Sequence, residues 1–224
     1  MKILDSLFVV PDVVANTYVI VDPDGLTLID TGAPFFQKKI LKYLGELGRS
    51  PAEVKRIILT HSDLDHVGGL NRLKEATGAR TYASRIEAQA IAAGRSSRRL
   101  VLPESPGQRF LFNLMFPLFR TKPFQVDEIV ADGQVLPVLG GLRVLDTPGH
   151  APGHISLYAP AAGVLFCGDS LRISEHRTVL TRLDKMEDPA KAGESIRRLA
   201  GLGARILCAG HGPPLMDAAG KIPA

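Results

Sequence analysis

The chain has 224 residues, 45% of them hydrophobic and 22% charged, a composition typical of a folded globular protein and not of a disordered one. Two cysteines, Cys167 and Cys208, exclude a disulfide framework, and each ends an apolar run, which predicts buried thiols. No apolar run approaches the roughly 20 residues that cross a bilayer. Because Asp5 also interrupts the apolar stretch that a signal peptide would need, we expect a cytoplasmic protein without a membrane span.

The net charge of +4 is concentrated in one part of the chain. Between Arg72 and Phe124, ten lysines and arginines face only three acidic residues. A stretch of this kind attracts anionic substrates, nucleic acid or membrane surfaces, and it is equally typical of a solvated face that keeps a protein soluble.

In chain order, the first half alternates predicted strands and helices. The runs NTYVIVD and LTLID flank the turn Asp24-Gly25 and predict a hairpin. Helical spacing of apolar residues predicts a helix over Phe36–Leu47, ended by Gly48. The run VKRIILT predicts a buried strand that leads into His61. After it, LNRLKEAT predicts a helix, ARTYAS a strand, and RIEAQAIAAG a second helix that Gly94 closes.

The second half continues the alternation after one exception. Residues 94–124 are basic and then apolar, with five of the nine phenylalanines between Phe110 and Phe124. This insertion is either an irregular helical excursion packed on the core, a cap over an active site, or a surface for homodimer formation. Beyond it, GLRVLDT, HISLYAP and GVLFCGD predict strands, Pro189 to Leu199 a helix, and ARILCAGHG a last strand. With no repeat and no clear linker, residues 1–224 are expected to form a single domain.

The stretch THSDLDH crowds four possible metal ligands onto the loop after a predicted strand. These are His61, Asp63, Asp65 and His66. Both residue types bind divalent metals, and alternate positions of a loop can point the same way. The alternative is a helix that begins with a capping aspartate and carries surface histidines.

Three later positions favour the metal site. His150 and His154 flank a Pro-Gly turn after a strand, Asp169 ends another strand in LFCGDS, and His211 ends a third in LCAGHG. Each is a polar, metal-capable residue beside glycine at the end of an apolar run.

This order of residues resembles the metallo-β-lactamase fold superfamily, whose signature is a His-x-His-x-Asp-His loop followed by a histidine, a Gly-Asp pair and a final histidine. The likeness extends from Leu28–Gly32 to Gly210–Gly212. It implies an α/β fold, a four-layer αββα sandwich in which two β-sheets lie between helices and loops at one edge hold the metals.

The resemblance also implies two divalent metal ions and the residues that hold them. The first ion would be bound by His61, Asp63 and His150, and the second by Asp65, His66 and His211. Asp169 would bridge the ions, opposite a shared hydroxide. Asp30 in LIDTG would orient the ligand loop, although an aspartate that forms the turn before Gly32 fits almost as well. His154 matches a family position that is not a ligand, and His176, which has no counterpart, is expected at the surface or in a pocket wall.

Such a site implies hydrolysis. Two metal ions lower the pKa of a shared water, polarise a carbonyl and stabilise the oxyanion formed on attack. Asp65 is the candidate for passing a proton. Zinc is the first choice of metal, with manganese or iron as alternatives, because Asp63 stands where the family pattern has histidine and a carboxylate is a harder ligand.

Within the superfamily, TPGHAPGHISLY and GVLFCGDSL resemble glyoxalase II-like and lactonase-like hydrolases most closely. They imply a small ester, lactone or thioester as substrate, and the phenylalanines and arginines of the insertion suit one that is apolar and anionic. No counterpart is found of the basic C-terminal residues with which glyoxalase II proteins hold glutathione. The alternatives are a nuclease or phosphodiesterase that uses the basic stretch, and a non-catalytic metal-binding regulatory protein. No nucleic-acid partner is expected.

Overall fold

The computed structural model describes residues 1–99, 121–176 and 186–223, together with Ser105, Gly107, Val179, Leu180 and Leu183. Most of the predicted insertion at 94–124 therefore lies outside the described residues, including four of its clustered phenylalanines, Phe110, Phe112, Phe116 and Phe119. The two ends of the insertion are described and lie side by side, because a side chain at Gly94 would meet the Thr121 carbonyl oxygen at 2.9 Å.

Seven strands form the first sheet, and their order in the sheet is their order in the chain. They are β1 (Lys2–Leu4), β2 (Leu7–Val9), β3 (Tyr18–Asp22), β4 (Gly25–Ile29), β5 (Val54–Ile58), β6 (Arg80–Ser84) and β7 (Glu128–Val130). Strands β1 to β4 are antiparallel, which confirms the predicted hairpin, in β3 and β4. Strands β4 to β7 are parallel, so their carboxyl ends lie at one edge.

Five strands form the second sheet, in the order β14-β11-β10-β9-β8. They are β8 (Val135–Leu136), β9 (Leu142–Asp146), β10 (Ile155–Ala159), β11 (Val164–Gly168) and β14 (Ile206–Ala209). Strands β11 and β14 pair in parallel, so both end at the same edge. A short ribbon of β12 (Arg172–Ile173) and β13 (Val179–Leu180) lies outside both sheets.

Five helices are described: α1 (Gln37–Glu46), α2 (Leu64–Val67), α3 (Leu70–Thr77), α4 (Arg85–Ala92) and α5 (Pro189–Ala200). A single 3₁₀ turn spans Pro51–Glu53. Helix α5 begins where its sequence directs, since the Asp188 side chain accepts a hydrogen bond from the Lys191 amide and Pro189 fills the first helical position.

Three apolar cores separate four layers. The central core joins both sheets, with Ile20 and Ile58 from the first facing Leu157 and Phe166 from the second. The outer face of the first sheet packs on α1, α3 and α4, and the outer face of the second packs on α5. Each large side chain that is fully buried contributes about 1.5–3 kcal/mol to folding. The predicted αββα sandwich is confirmed.

Cys167 and Cys208 are free thiols inside these cores, as their apolar neighbours predicted. Among the described residues, no helix is both long and apolar enough to cross a membrane. The two sheets also meet at the edge where β4, β5, β11 and β14 end, since the Ile155 amide donates a hydrogen bond to the Thr60 carbonyl oxygen at 3.0 Å. The loops of both sheets therefore converge at this edge.

Candidate metal centre

All eight residues predicted for the metal centre lie at this edge. They come from loops that follow β4, β5, β11 and β14 or precede β10, and from the short helix α2 after β5: Asp30, His61, Asp63, Asp65, His66, His150, Asp169 and His211. Three overlapping groups of their side chains have ligand atoms within 4.8 Å of one another. The groups are His61, Asp63 and His150; Asp65, His66 and His211; and His61, His66 and Asp169.

Asp169 lies between the two predicted sets of three ligands. Its Oδ1 is 3.3 Å from His66 Nε2, and its Oδ2 is 3.4 Å from His211 Nε2 and 3.7 Å from His150 Nε2. This is the position that a bridging carboxylate requires. The role of these residues as metal ligands stays a prediction.

Asp30 fixes the orientation of two histidine rings. Its carboxylate accepts hydrogen bonds from the Thr60 amide and hydroxyl, both at 2.8 Å, and from His66 Nδ1 at 2.8 Å. Because the Thr60 hydroxyl gives its only hydrogen to Asp30, it accepts from His61 Nδ1, 3.0 Å away. In the neutral rings of His61 and His66, Nε2 therefore carries the lone pair.

Three buried atoms of the cluster make no hydrogen bond in this network. His61 Nε2, His66 Nε2 and Asp169 Oδ1 are buried and have no hydrogen-bond partner in the described part of the chain. A buried polar atom left unsatisfied costs roughly 1–3 kcal/mol. Imidazole nitrogens and carboxylate oxygens are the donors that zinc, manganese and iron accept, so these residues fit divalent ions.

The charges of the cluster also suit a cation. Burial lowers the pKa of His66, but the carboxylates of Asp169 and Asp30 on either side raise it well above its usual value. The carboxylates of Asp169 and Asp65, which accept hydrogen bonds from the His211 ring, raise the pKa of His211 to about 9. Without metal the cluster thus retains protons at neutral pH, and divalent ions would replace them.

Asp63 does not behave as a helix cap. It occupies the N-cap position of α2, but its side chain makes no capping hydrogen bond. Its carboxylate instead accepts a hydrogen bond from the Ser96 hydroxyl at 2.6 Å and one from Arg98 Nη1 at 2.7 Å. Burial raises the pKa of Asp63, but the neighbouring histidines and Arg98 outweigh it and hold that pKa well below its usual range. Asp63 is therefore an ionised member of the cluster.

Two residues of the site were missed by sequence reasoning. Arg98 counted only as one of many basic residues of the insertion, and nothing in the sequence separated it from Arg95 or Arg99. Glu87 counted only as an acidic residue opposing that stretch, and its spacing from Ser84 is the Ser-x-x-Glu pattern of a capping box. The Ser84 side chain does cap α4, whereas the Glu87 carboxylate reaches the site.

The buried Glu87 carboxylate ties three loops together. Its Oε2 accepts a hydrogen bond from the Ser62 amide at 2.8 Å, and its Oε1 accepts from the Ser97 hydroxyl at 2.7 Å and the Gly153 amide at 2.9 Å. Ser62 lies between two predicted ligands, Gly153 follows a third, and Ser97 adjoins Arg98. Helix α4 thus sets the relative position of these three loops.

The remaining ligands are held by backbone contacts. His154, which was left out of the ligand set, accepts a hydrogen bond at Nε2 from the Asp169 amide at 3.0 Å. A side chain at position 210 would lie 2.1 Å from Asp169 Oδ1, so only glycine fits there. The Asn16 side chain donates to the carbonyl oxygens on both sides of His211, at 2.9 and 2.7 Å. His176 is exposed.

Known proteins are similar to this chain along nearly its whole length. The family model of the metallo-beta-lactamase superfamily matches residues 10–211. The probable metallo-hydrolase YflN of Bacillus subtilis is 31% identical over 222 residues, covering 90% of this chain and 82% of that protein. A hydroxyacylglutathione hydrolase of Synechococcus sp. is 32% identical over 158 residues, 69% of this chain, but the match spans only 48% of that protein.

Solved structures show the same fold. A metallo-beta-lactamase family protein of Thermus thermophilus superposes with a TM-score of 0.74 at 30% identity, over 99% of this chain and 78% of its own. Divalent metals, typically zinc, serve this superfamily, and the donor set at the carboxyl edge of the two sheets fits them. The chain therefore belongs to the metallo-beta-lactamase superfamily and is an enzyme of its hydrolase class.

Proposed function

We propose that the protein is a two-metal hydrolase that cleaves a small ester, lactone or thioester. The observation that carries the proposal is the convergence of seven ligand side chains, three of whose buried atoms, His61 Nε2, His66 Nε2 and Asp169 Oδ1, have no hydrogen-bond partner among the described residues. Two separate sets of three ligands with the Asp169 carboxylate between them suit two ions better than one.

Divalent ions at such a site supply a water whose pKa is lowered toward neutrality and a positive charge that polarises a carbonyl. The side chains of the protein orient the ligands of these ions. Asp30 holds the rings of His61 and His66 with their lone pairs inward. The pKa of Asp65 is lowered, because hydrogen bonding to His211 and the charge of His66 outweigh its burial. Its carboxylate is thus ionised and able to accept a proton.

The surroundings of the site favour an apolar substrate with a negative charge. Arg98 brings a guanidinium to the cluster. The loops that contact the ligands also carry exposed apolar side chains: Val14 is 58% exposed, Phe35 80% and Met216 44%. Their loops adjoin His211 and His66, since the Asn16 amide donates to the Gly210 carbonyl oxygen and the Thr31 amide to that of His66. Apolar contacts and a cation are the features that such a substrate needs.

The relatives support an acyl bond as the one cleaved. A relative named for hydroxyacylglutathione hydrolysis matches 69% of this chain, although this chain spans about half the length of that protein. Lys74 and Arg80, in the basic stretch, pair with Asp127 and Glu128. The described part of the stretch is thus partly neutralised, which weakens the case for a nuclease.

The test is a hydrolysis panel of lactone, thioester, aryl phosphodiester and β-lactam substrates, with metal-free protein reconstituted with zinc, manganese or ferrous iron. We expect turnover of the lactone or thioester, lost in His61→Ala and retained in His176→Ala, a histidine at the surface. Turnover of the phosphodiester alone would contradict the proposed bond class. Metal binding without turnover of any substrate would support a regulatory protein.

A further inference from the structure

The guanidinium of Arg98 contacts two of the atoms predicted to bind the first ion. Its Nη1 is 2.7 Å from Asp63 Oδ2 and 3.0 Å from His150 Nε2, and these two acceptor atoms are 3.2 Å apart. Asp63 Oδ2 is also 3.7 Å from Nε2 of His61, the third predicted ligand. One nitrogen of a permanently charged side chain thus lies among the three ligands.

His150 Nε2 is also within hydrogen-bond distance of Asp63 Oδ2, so its role depends on where the ring carries its hydrogen. A guanidinium can only donate, so in the contact with Arg98 His150 Nε2 accepts and uses the lone pair that it would give to a metal. Because His150 Nε2 has a single lone pair, it cannot bind an ion until the guanidinium leaves. Asp63 Oδ2 keeps a further lone pair, but two cations beside it would repel each other.

The backbone of Arg98 is held close to the site by its neighbours. The Ser97 amide donates to the Ser62 hydroxyl at 2.8 Å, and the Ser97 hydroxyl donates to Glu87 at 2.7 Å. The Arg98 amide donates to the Ser96 hydroxyl, and that hydroxyl donates to Asp63. The start of the insertion is thus fastened to the ligand loop, which places Arg98 beside Asp63 and His150.

We propose that Arg98 is a positioning residue that competes with the first metal ion for Asp63 and His150. The two metal positions then fill in order. The second metal position, formed by Asp65, His66 and His211, binds its ion earlier and more tightly. The first metal position, formed by His61, Asp63 and His150, binds its ion later and more weakly. This inference rests on the proposed metal-dependent function and adds to it a control of the first position by a residue of the insertion.

The competition also accounts for the aspartate at position 63. A neutral histidine there would offer Arg98 no opposite charge, whereas Asp63 binds either the guanidinium or a metal ion. Ser96 and Arg98, which face Asp63, both belong to the insertion. A plain structural ion pair would instead leave the affinity for the ion unchanged or lower when Arg98 is removed. Competition therefore predicts that removing Arg98 raises the affinity for the ion, whereas a structural ion pair predicts that it does not.

The experiment is a calorimetric titration of the metal-free, full-length protein with zinc, in wild type, Arg98→Ala, Arg98→Gln and Arg99→Ala. Arg99 is adjacent and exposed, so Arg99→Ala matches the change in charge without touching the ligands. We expect two binding events in wild type and in Arg99→Ala. In Arg98→Ala and Arg98→Gln the weaker event should tighten at least tenfold. His150→Ala should remove the weaker event only, which assigns it to the first position.

Two results would overturn the inference. One is that the two binding events have equal affinities in wild type. The other is that the affinity of the weaker event is unchanged or lower in both Arg98 variants. Melting temperatures identify a variant that fails to fold, and Arg98→Gln, which keeps a hydrogen-bonding side chain of similar reach, guards against that outcome. If neither wild type nor any variant binds zinc, the proposed metal-dependent function itself is wrong. The two failures are therefore distinguishable.

Discussion

Asp63 adds a negative charge to a site that would otherwise hold two carboxylates, Asp65 and Asp169. A third carboxylate attracts a metal ion more strongly, but it also makes that ion a weaker Lewis acid, so a water bound to it ionises less readily. The neighbouring Arg98 offsets the added charge when it donates to Asp63. The balance between metal retention and reactivity thus depends on this pair of residues.

Two substitutions of Asp63 distinguish the effect of losing a metal ligand from the effect of exchanging it for another ligand. Asp63→Ala should lower occupancy of the first metal position and activity together, by at least about 10–100-fold, the range seen when residues behind a ligand are changed. Asp63→His should keep the metal but change which ion supports turnover, because imidazole is a softer ligand than carboxylate. Metal content by elemental analysis and activity with zinc, manganese and iron measure both effects.

The matched control for Asp63 is Asp217→Ala, which removes an exposed carboxylate that pairs with Lys221 at the surface. It should leave metal content and activity unchanged. An Asp63→Ala protein with full metal content and wild-type turnover would show that Asp63 is not a ligand.

Asp30 combines an uncommon backbone conformation with three hydrogen bonds to the ligand loop. Its φ is +60°, a left-handed conformation that asparagine also tolerates well. Asp30→Asn therefore keeps the backbone but places an amide against donors from Thr60 and His66. We expect metal affinity to fall about 10–100-fold, as measured by competition with a chelator. Unchanged affinity would mean that Asp30 serves only the turn.

At the scale of elements, the sequence predicted the strands and helices whose apolar residues repeat. The helix α3 was predicted at its observed bounds, and α1 and α5 to within one residue at each end. Helix α2 and strands β7, β8, β12 and β13 have two to four residues, too few for any period, and were missed. The ligands were predictable because each follows an apolar run and adjoins glycine or another ligand. Contacts between distant elements, such as those of Glu87, leave no such pattern.

Glu87 connects helix α4 to the loops of the site. Its removal should therefore lower both the stability of the fold and the affinity for metal. Glu87→Ala leaves the Ser62 and Gly153 amides and the Ser97 hydroxyl without their buried acceptor. We expect the free energy of unfolding to fall by about 3 kcal/mol or more, since each hydrogen bond to a charged group contributes about 1.5–3 kcal/mol. Affinity for the first metal ion should fall as well, because these donors flank its ligands.

Urea unfolding and zinc titration measure the two effects of Glu87. Glu87→Gln keeps the shape and one acceptor oxygen, so its losses should be intermediate. Glu75→Ala, on the exposed face of α3, is the matched control and should change the free energy of unfolding by less than about 0.5 kcal/mol. If Glu87→Ala were as stable as this control, the three loops would be positioned by other contacts.

At the scale of the whole molecule, the site lies across the seam between the sheets. His61, Asp65 and His66 follow a strand of the first sheet, whereas Asp169 and His211 follow strands of the second. Metal ions bound here would join the two halves of the sandwich. An ion at 1,000 times its dissociation constant adds about 4 kcal/mol to the free energy of unfolding. Removal of the metal should therefore lower the melting temperature of the entire chain.

The metal-free protein should also lose stability as pH rises from 6.5 to 9. The pKa of His211 is raised from 6.5 to about 9 by Asp169 and Asp65, and the pKa of His66 is raised well above 6.5. A raised pKa stabilises the fold fully below the unfolded value of 6.5 and ceases to do so as pH rises through the folded value. The lowered pKa values of His150 and His154 act only below pH 6.5.

Bound zinc should abolish this decline, because a metal ion replaces the protons of His66 and His211 and binds more tightly as pH rises. The measurement is the melting temperature between pH 6.5 and 9, with a chelator and with zinc. His211→Ala should flatten part of the metal-free decline, whereas His176→Ala, which removes an exposed histidine, should leave it intact. A metal-free melting temperature that rises across this range would mean that His66 and His211 carry no proton in the folded cluster, and that the carboxylates around them are neutralised in some other way.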